Sequence, residues 1–241
     1  IYPGEENYNA SVWGGIYQII ALFGALCGLY LSELWGGRKS LMGRVNLAFA
    51  WGLLAQSFGQ SVYSYHFFQG GAVMYPSVGD IGFFGSVIFY IYGVLLLAKA
   101  SGVKVSLGSF ISKIQAIFVP LALLTLSYWF FLRDYIIDWN SPIKTLLDFG
   151  YPLGQAFYVS IALLVLLLTR NVLGGAMKKP IVFFLAALVI QYFSDFTFLY
   201  QSNSGTYVAG GIVDFMYFLS YFAMAWSLIQ LGATFEKIKN S

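Results

Sequence analysis

Asp80-Ile81-Gly82-Phe83-Phe84-Gly85-Ser86-Val87-Ile88-Phe89-Tyr90-Ile91-Tyr92-Gly93-Val94-Leu95-Leu96-Leu97-Ala98 carries one charged side chain, at its first position. A helix needs roughly 20 predominantly apolar residues to cross the hydrocarbon of a bilayer. The stretch therefore reads as a membrane span. Six others share its character: Val12–Leu31, Val45–His66, Phe110–Leu132, Tyr151–Thr169, Ile181–Tyr200 and Gly210–Leu231. Lipid offers no partner to a backbone N–H or C=O, so such segments must satisfy their own groups as helices. The expectation is an all-α integral membrane bundle of seven transmembrane helices. It forms a single domain over residues 1–241, with 232–241 as a short cytoplasmic tail. Composition agrees. Charged residues are 10% of the chain, against about 25% in an ordinary soluble domain. Mean hydropathy is +0.74, and aromatic residues reach 20%.

Charge orients the bundle. Arg38, Lys39 and Arg44 follow the first span; Lys99, Lys104 and Lys113 follow the third; Arg170, Lys178 and Lys179 follow the fifth; Lys237 and Lys239 follow the seventh. These alternate gaps hold only two acids, Glu33 and Glu236. The opposite side holds Arg133 and Lys144 against Glu5, Glu6, Asp80, Asp134, Asp138, Asp148, Asp195 and Asp214. Lys and Arg concentrate in cytoplasmic gaps. The amino terminus is therefore expected outside and the carboxyl terminus in the cytoplasm.

Several function classes lose their support here. No basic run is long enough to track a phosphate backbone. His66 is the only histidine and Cys27 the only cysteine, whereas a metal site normally gathers several such ligands. Neither a metal nor another cofactor is expected, and Cys27 reads as a small hydrophobe. His66 reads as an interface side chain, or else as a pH sensor. The seventh span has no lysine for a retinal Schiff base. Gly174-Gly175 lacks the rest of a P-loop. Gly79-Asp80 lacks the glycine pattern and second motif of an intramembrane aspartyl protease. With no Ser–His or Cys–His arrangement, the chain reads as a non-enzyme. Asn9-Ala10-Ser11 is a glycosylation sequon on the predicted outer side, a triplet that arises often by chance.

The outer rim repeats itself. After the first span the chain reads as three related hairpins. Their returning helices open on Tyr75-Pro76-Ser77-Val78-Gly79-Asp80, Tyr151-Pro152-Leu153-Gly154-Gln155 and Gly210-Gly211-Ile212-Val213-Asp214. Proline suits a first helical turn, and an acid there is favoured by the helix dipole. Two outgoing helices also align: Gln56 and Gln60 match Gln191 and Asp195, each pair four apart and on one helix face. Tyr65 then matches Tyr200. Ionisable groups inside a membrane usually face the bundle or a wet cavity. Gln60, Asp80, Gln191, Asp195, Tyr207 and Asp214 are the candidate ligand-binding residues, with Tyr63, Tyr65, Phe83, Phe84, Phe193, Phe196, Phe198 and Tyr217 about them.

The phrase from Tyr75 to Phe84 resembles the "PS-x-x-D-x-x-Y" helix opening of a multi-pass bacterial membrane sensor domain. That domain is found before GGDEF and EAL cyclic-di-GMP modules or histidine kinases. Ser204 to Tyr217 resembles its "G-x-Y-x-x-G-x-x-x-D-x-x-W" closing hairpin. Tyr151-Pro152-Leu153-Gly154-Gln155 resembles its "YPL-x-D" phrase, with Gln155 where an acid is usual. The resemblance implies a sensory module in the plasma membrane of a prokaryote. It also implies an output domain, which residues 1–241 do not include: either the sequence is cut short of it, or the signal passes to a separate cytoplasmic partner.

Plainer readings stand beside these. Asp80 and Asp214 suit helix capping. Asp195 lies near the far end of an outgoing helix, where the dipole is unfavourable, and needs another partner. The charges from Arg133 to Asp148 read as a solvated loop, or else as a partner contact. Trp13, Trp129, Trp139 and Trp226 read as interface anchors. Gly14, Gly15, Gly82 and Gly85 read as sites of close helix packing. Pro120 is expected to kink the fourth span, its freed carbonyl met by Thr125, Ser127 or a neighbour. The leading function is a sensory or ligand-receiving module for a small apolar or aromatic ligand, signalling to a cytoplasmic partner. A structural subunit of a larger membrane complex and a small-molecule transporter are the alternatives.

Overall fold

Apolar stretches that must satisfy their own backbone fold as helices, and most of the described chain is helical. The computed structural model describes residues 12–69, 75–101, 110–133, 137, 139–169 and 178–240. Among these there is no strand. The α-helices are α1 (Ile19–Leu34, extending a helical stretch from Val12), α2 (Leu41–Phe68), α3 (Gly79–Ala100), α4 (Phe110–Ser127), α5 (Pro142–Thr169), α6 (Lys178–Asn203) and α7 (Ile212–Lys239). All but α2 are long and apolar enough to cross a membrane, which makes six candidate spans. The remaining expected span, Val45–His66, lies within α2, a helix of 28 residues whose composition is less apolar. The reason lies in its buried face, where Asn46, Gln56, Ser57 and Ser64 point into the protein.

Six helices close a ring in the order α1, α2, α3, α5, α6, α7, and α7 returns to α1. α4 lies outside it, packed on α5, with only 6% of its span buried. Its far end reaches α6, where Ser127 stands 3.3 Å from the Tyr192 hydroxyl and Phe130 packs edge-on against Phe196. Ser127 thus partners Tyr192. Pro120 lies inside α4 as expected, and the helix passes into a π-helical turn over Tyr128–Leu132.

Aromatic side chains fill the middle of the ring. Phe49 of α2 stacks on Phe184 of α6 with ring centroids 4.5 Å apart. Tyr90 meets Phe49 on one side and Tyr158 on another, and all are fully buried. The outer surface carries Ile, Leu and Phe side chains, as a lipid-facing bundle would.

α2 and α3 approach each other through glycine. A Cβ on Gly82 would stand 2.4 Å from the Ala55 carbonyl oxygen, and one on Gly59 would stand 2.9 Å from the Gly79 oxygen. These are backbone atoms and cannot swing aside. A Cβ on Gly14 would stand 2.6 Å from the Gly210 nitrogen, and one on Gly15 would strike the ring of Phe68. Gly85 does not belong with them, because it faces open space.

Two boundaries differ most from the sequence reading. α5 begins at Pro142, well before Tyr151, because Pro142 takes a first-turn position and Ser141 accepts the Thr145 N–H. Tyr151-Pro152 therefore lies within a helix and does not open one. α7 runs on to Lys239, so the stretch from Gly232 continues that helix. Glu5, Glu6, Asn9, Lys104, Asp134, Asp138, Arg170 and Gly174-Gly175 lie outside the described residues.

The glycine contacts separate two similar substitutions. Gly82→Ala is expected to lower unfolding free energy by about 1–3 kcal/mol through overpacking against backbone. Gly85→Ala should leave it unchanged. Denaturant titration of the two variants in detergent micelles reads the difference.

Candidate functional site

A cavity of about 700 Å³ opens at the acid-bearing end of the ring. All six ring helices contribute to its walls. α1 brings Tyr17, α2 Gln56, Gln60 and Tyr63, α3 Asp80 and Phe83, and α5 Lys144, Asp148, Tyr151 and Gln155. α6 adds Asp195 and Phe198, α7 adds Asp214, Tyr217 and Tyr221, and the segment between them adds Tyr207.

Each aspartate is held by a tyrosine. Asp80 is 5% exposed. One of its oxygens accepts the Tyr151 hydroxyl at 2.8 Å, and the other accepts the Ser77 N–H at 2.7 Å and the Ser77 hydroxyl at 3.1 Å. The Asp80 carboxylate thus reaches back to the Ser77 N–H as the acid of a capping box does, and the Ser77 hydroxyl accepts the Gly79 N–H at 3.1 Å at the start of α3. Asp214 accepts the Gly210 N–H, and Tyr207 donates to it at 3.0 Å. Tyr217 donates to Asp195 at 2.7 Å, while the Gln191 amide donates to both Asp195 oxygens at 3.3 Å. Tyr75 donates to Asp148 at 2.7 Å, and Lys144 bonds the other Asp148 oxygen at 2.8 Å.

Two of these pairs cross-link repeated phrases. Tyr151 of the second phrase holds Asp80 of the first, and Tyr75 of the first holds Asp148, three residues before Tyr151. Burial pushes the Tyr75 and Tyr207 hydroxyls well above the usual phenol range, and the neighbouring carboxylates add to it. Both therefore remain proton donors at neutral pH.

The amides divide into two kinds. Gln56 is fully engaged: its Nε2 donates to Ser86 at 2.8 Å and its Oε1 accepts the Tyr221 hydroxyl at 3.1 Å. Gln155 lines the cavity and is 6% exposed, and among the described residues its side chain has no hydrogen-bond partner. Such a group costs about 1–3 kcal/mol if it stays dry and unpaired.

Of the sequence candidates, Gln60, Asp80, Asp195, Tyr207 and Asp214 line the cavity. Gln191 does not; it is fully buried behind Asp195 and orients that carboxylate. Asp80 and Asp214 also satisfy the capping reading through Ser77 and Gly210. Lys144 and Asp148 are corrected. They form an ion pair in the first turns of α5 on the cavity wall, and they do not belong to a loop. Arg133 lies over the Trp129 ring at 4.4 Å. Tyr65 and Tyr200, matched in the repeat, are both exposed, at 62% and 64%. His66 sits against the Tyr65 ring, away from the cavity walls. Sequence reasoning missed Tyr17, Tyr75 and Tyr221 as wall residues. Only the repeated Tyr-Pro phrase carried a signal for one of them.

No family model, curated protein or solved structure matches this chain.

Each aspartate–tyrosine pair should behave as one unit. A double-mutant cycle on Asp195→Asn and Tyr217→Phe is expected to return a coupling of about 0.6–2 kcal/mol in unfolding free energy. The same cycle on Asp195→Asn and Tyr65→Phe should return none.

Proposed function

We propose that the chain is a membrane-embedded sensory module that receives a small ligand in this cavity. The observation that carries the reading is that one cavity is walled by all six ring helices. A ligand touching all of them changes the relative energies of their packing arrangements, and only such a difference can shift a conformational equilibrium. α7 is the element suited to carry the change. It presents Asp214, Tyr217 and Tyr221 to the cavity and runs without a break to Lys237 and Lys239 at the basic end. There Trp35 of the α1–α2 turn hydrogen-bonds the Leu231 carbonyl and packs against Phe235. A cytoplasmic partner would read the position of this end.

In this proposal α2 crosses the bilayer with the six apolar helices, shielded by its place in the ring. The basic end faces the cytoplasm and the cavity faces outward. The resemblance of the Tyr75–Phe84 and Ser204–Tyr217 phrases to bacterial sensor domains supports the plasma membrane of a prokaryote as the location. A structural subunit is the second reading, favoured by α4, whose apolar face is left almost bare by the ring. A stoichiometric membrane partner on native purification would support it.

Two experiments test the proposal. In a Cys27→Ala background, Ser204→Cys should react with an impermeant maleimide on intact cells, and Asn240→Cys should react only after permeabilisation. The reverse pattern overturns the orientation. Asp195→Asn with Asp214→Asn should reduce both thermal stability and any ligand response. If neither moves, the cavity is not the receiving site.

A further inference from the structure

We infer that the cavity takes a small protonated organic amine, a donor-rich cation with an apolar body. This rests on the reading of the cavity as a ligand site. The first ground is the direction of the hydrogen bonds. Tyr75, Tyr151, Tyr207 and Tyr217 each spend their single O–H on a carboxylate. Their oxygens are left with lone pairs and no proton to give. The carboxylates themselves only accept. At these four pairs the wall therefore offers acceptors and no free O–H, and a ligand that meets them must bring hydrogen-bond donors.

Charge gives the second ground. Four carboxylates, Asp80, Asp148, Asp195 and Asp214, face one lysine, Lys144, which is bound to Asp148. An anion meets this wall unfavourably, and a neutral ligand can gain hydrogen bonds from it but no attraction of charge. Tyrosine faces on the same wall suit a cation and its hydrocarbon together, since a cation is attracted to the face of an aromatic ring. Gln155 is the third and independent ground. Its buried amide has no hydrogen-bond partner among the described residues and lines the cavity, so its carbonyl can accept from an ammonium while its NH2 faces the neighbouring acceptors.

A bare metal ion fits poorly. Among the described residues no three His, Cys, Asp or Glu side chains come close enough to hold one. The volume of about 700 Å³ lies in the range of organic-ligand pockets, about 300–1,000 Å³.

Three probes of matched size separate the classes: 2-phenylethylamine, 2-phenylethanol and 3-phenylpropanoate, titrated calorimetrically into the full chain in detergent micelles at neutral pH. The ammonium is expected to bind at least about tenfold more tightly than the other two, a difference of about 1.4 kcal/mol. Gln155→Met and Asp195→Asn should each weaken it severalfold. Gln155→Met removes an unpartnered amide, so it should fold at least as stably as the parent and keeps the test open if Asp195→Asn does not fold. Tighter binding of the alcohol or the carboxylate, still weakened by Gln155→Met, overturns the amine and leaves the cavity as a ligand site. Absence of binding by all three probes, or binding that neither substitution changes, overturns both.

Discussion

A carboxylate within a bundle of apolar helices has no bulk water to solvate it, and its charge must be met by a donor from the protein. At each of the four cavity aspartates one of the donors is a tyrosine hydroxyl. The pairs Asp80–Tyr151, Asp148–Tyr75, Asp195–Tyr217 and Asp214–Tyr207 ring one cavity. The phenol suits this work because it joins an apolar body to one polar tip. It can be buried among helices and still reach a carboxylate. The rest of the acid-bearing end follows from that constraint. Tyr151 ties α5 to α3, and Tyr217 ties α7 to α6. Gln56 adds a further tie, bonding α3 through Ser86 and α7 through Tyr221.

The ring that holds these pairs depends on two kinds of packing. Glycines let α2 and α3 meet backbone to backbone at Gly59, Gly79 and Gly82. Aromatic rings then fill the centre below the cavity, with Phe49 and Phe184 stacked across it. Helices in lipid gain little from apolar burial as such, because lipid tails are as apolar as leucine. Close approach, ring contacts and interhelical hydrogen bonds must hold the bundle instead. α4 lacks a full set of these contacts and stays outside the ring.

Some of the site was legible in the chain. Asp80, Asp195 and Asp214 stood out because an acid in an apolar stretch is costly, and Gln60 stood out by its four-residue spacing from Gln56. Gln191 showed the same spacing to Asp195 but faces its neighbour and not the cavity. Periodicity places a residue on a face and does not say what fills the space beyond it. Asp148 and Lys144 were read as solvated loop because the apolar run begins only at Tyr151. The helix had already begun at Pro142, held by its own backbone and by the pair itself.

Local composition by itself determined that this protein is helical, roughly where its helices lie, and that acids gather at one end and bases at the other. Those properties depend on runs of side chains along the chain and on the need of buried backbone to bond within its own segment. Only the tertiary structure decided which tyrosine answers which aspartate, that six helices close a ring with α4 outside, and that Gln155 is left with an unanswered amide. These depend on contacts between residues far apart in the chain, such as the 71 positions between Asp80 and Tyr151. Hydropathy along a sequence carries no record of that distance being closed.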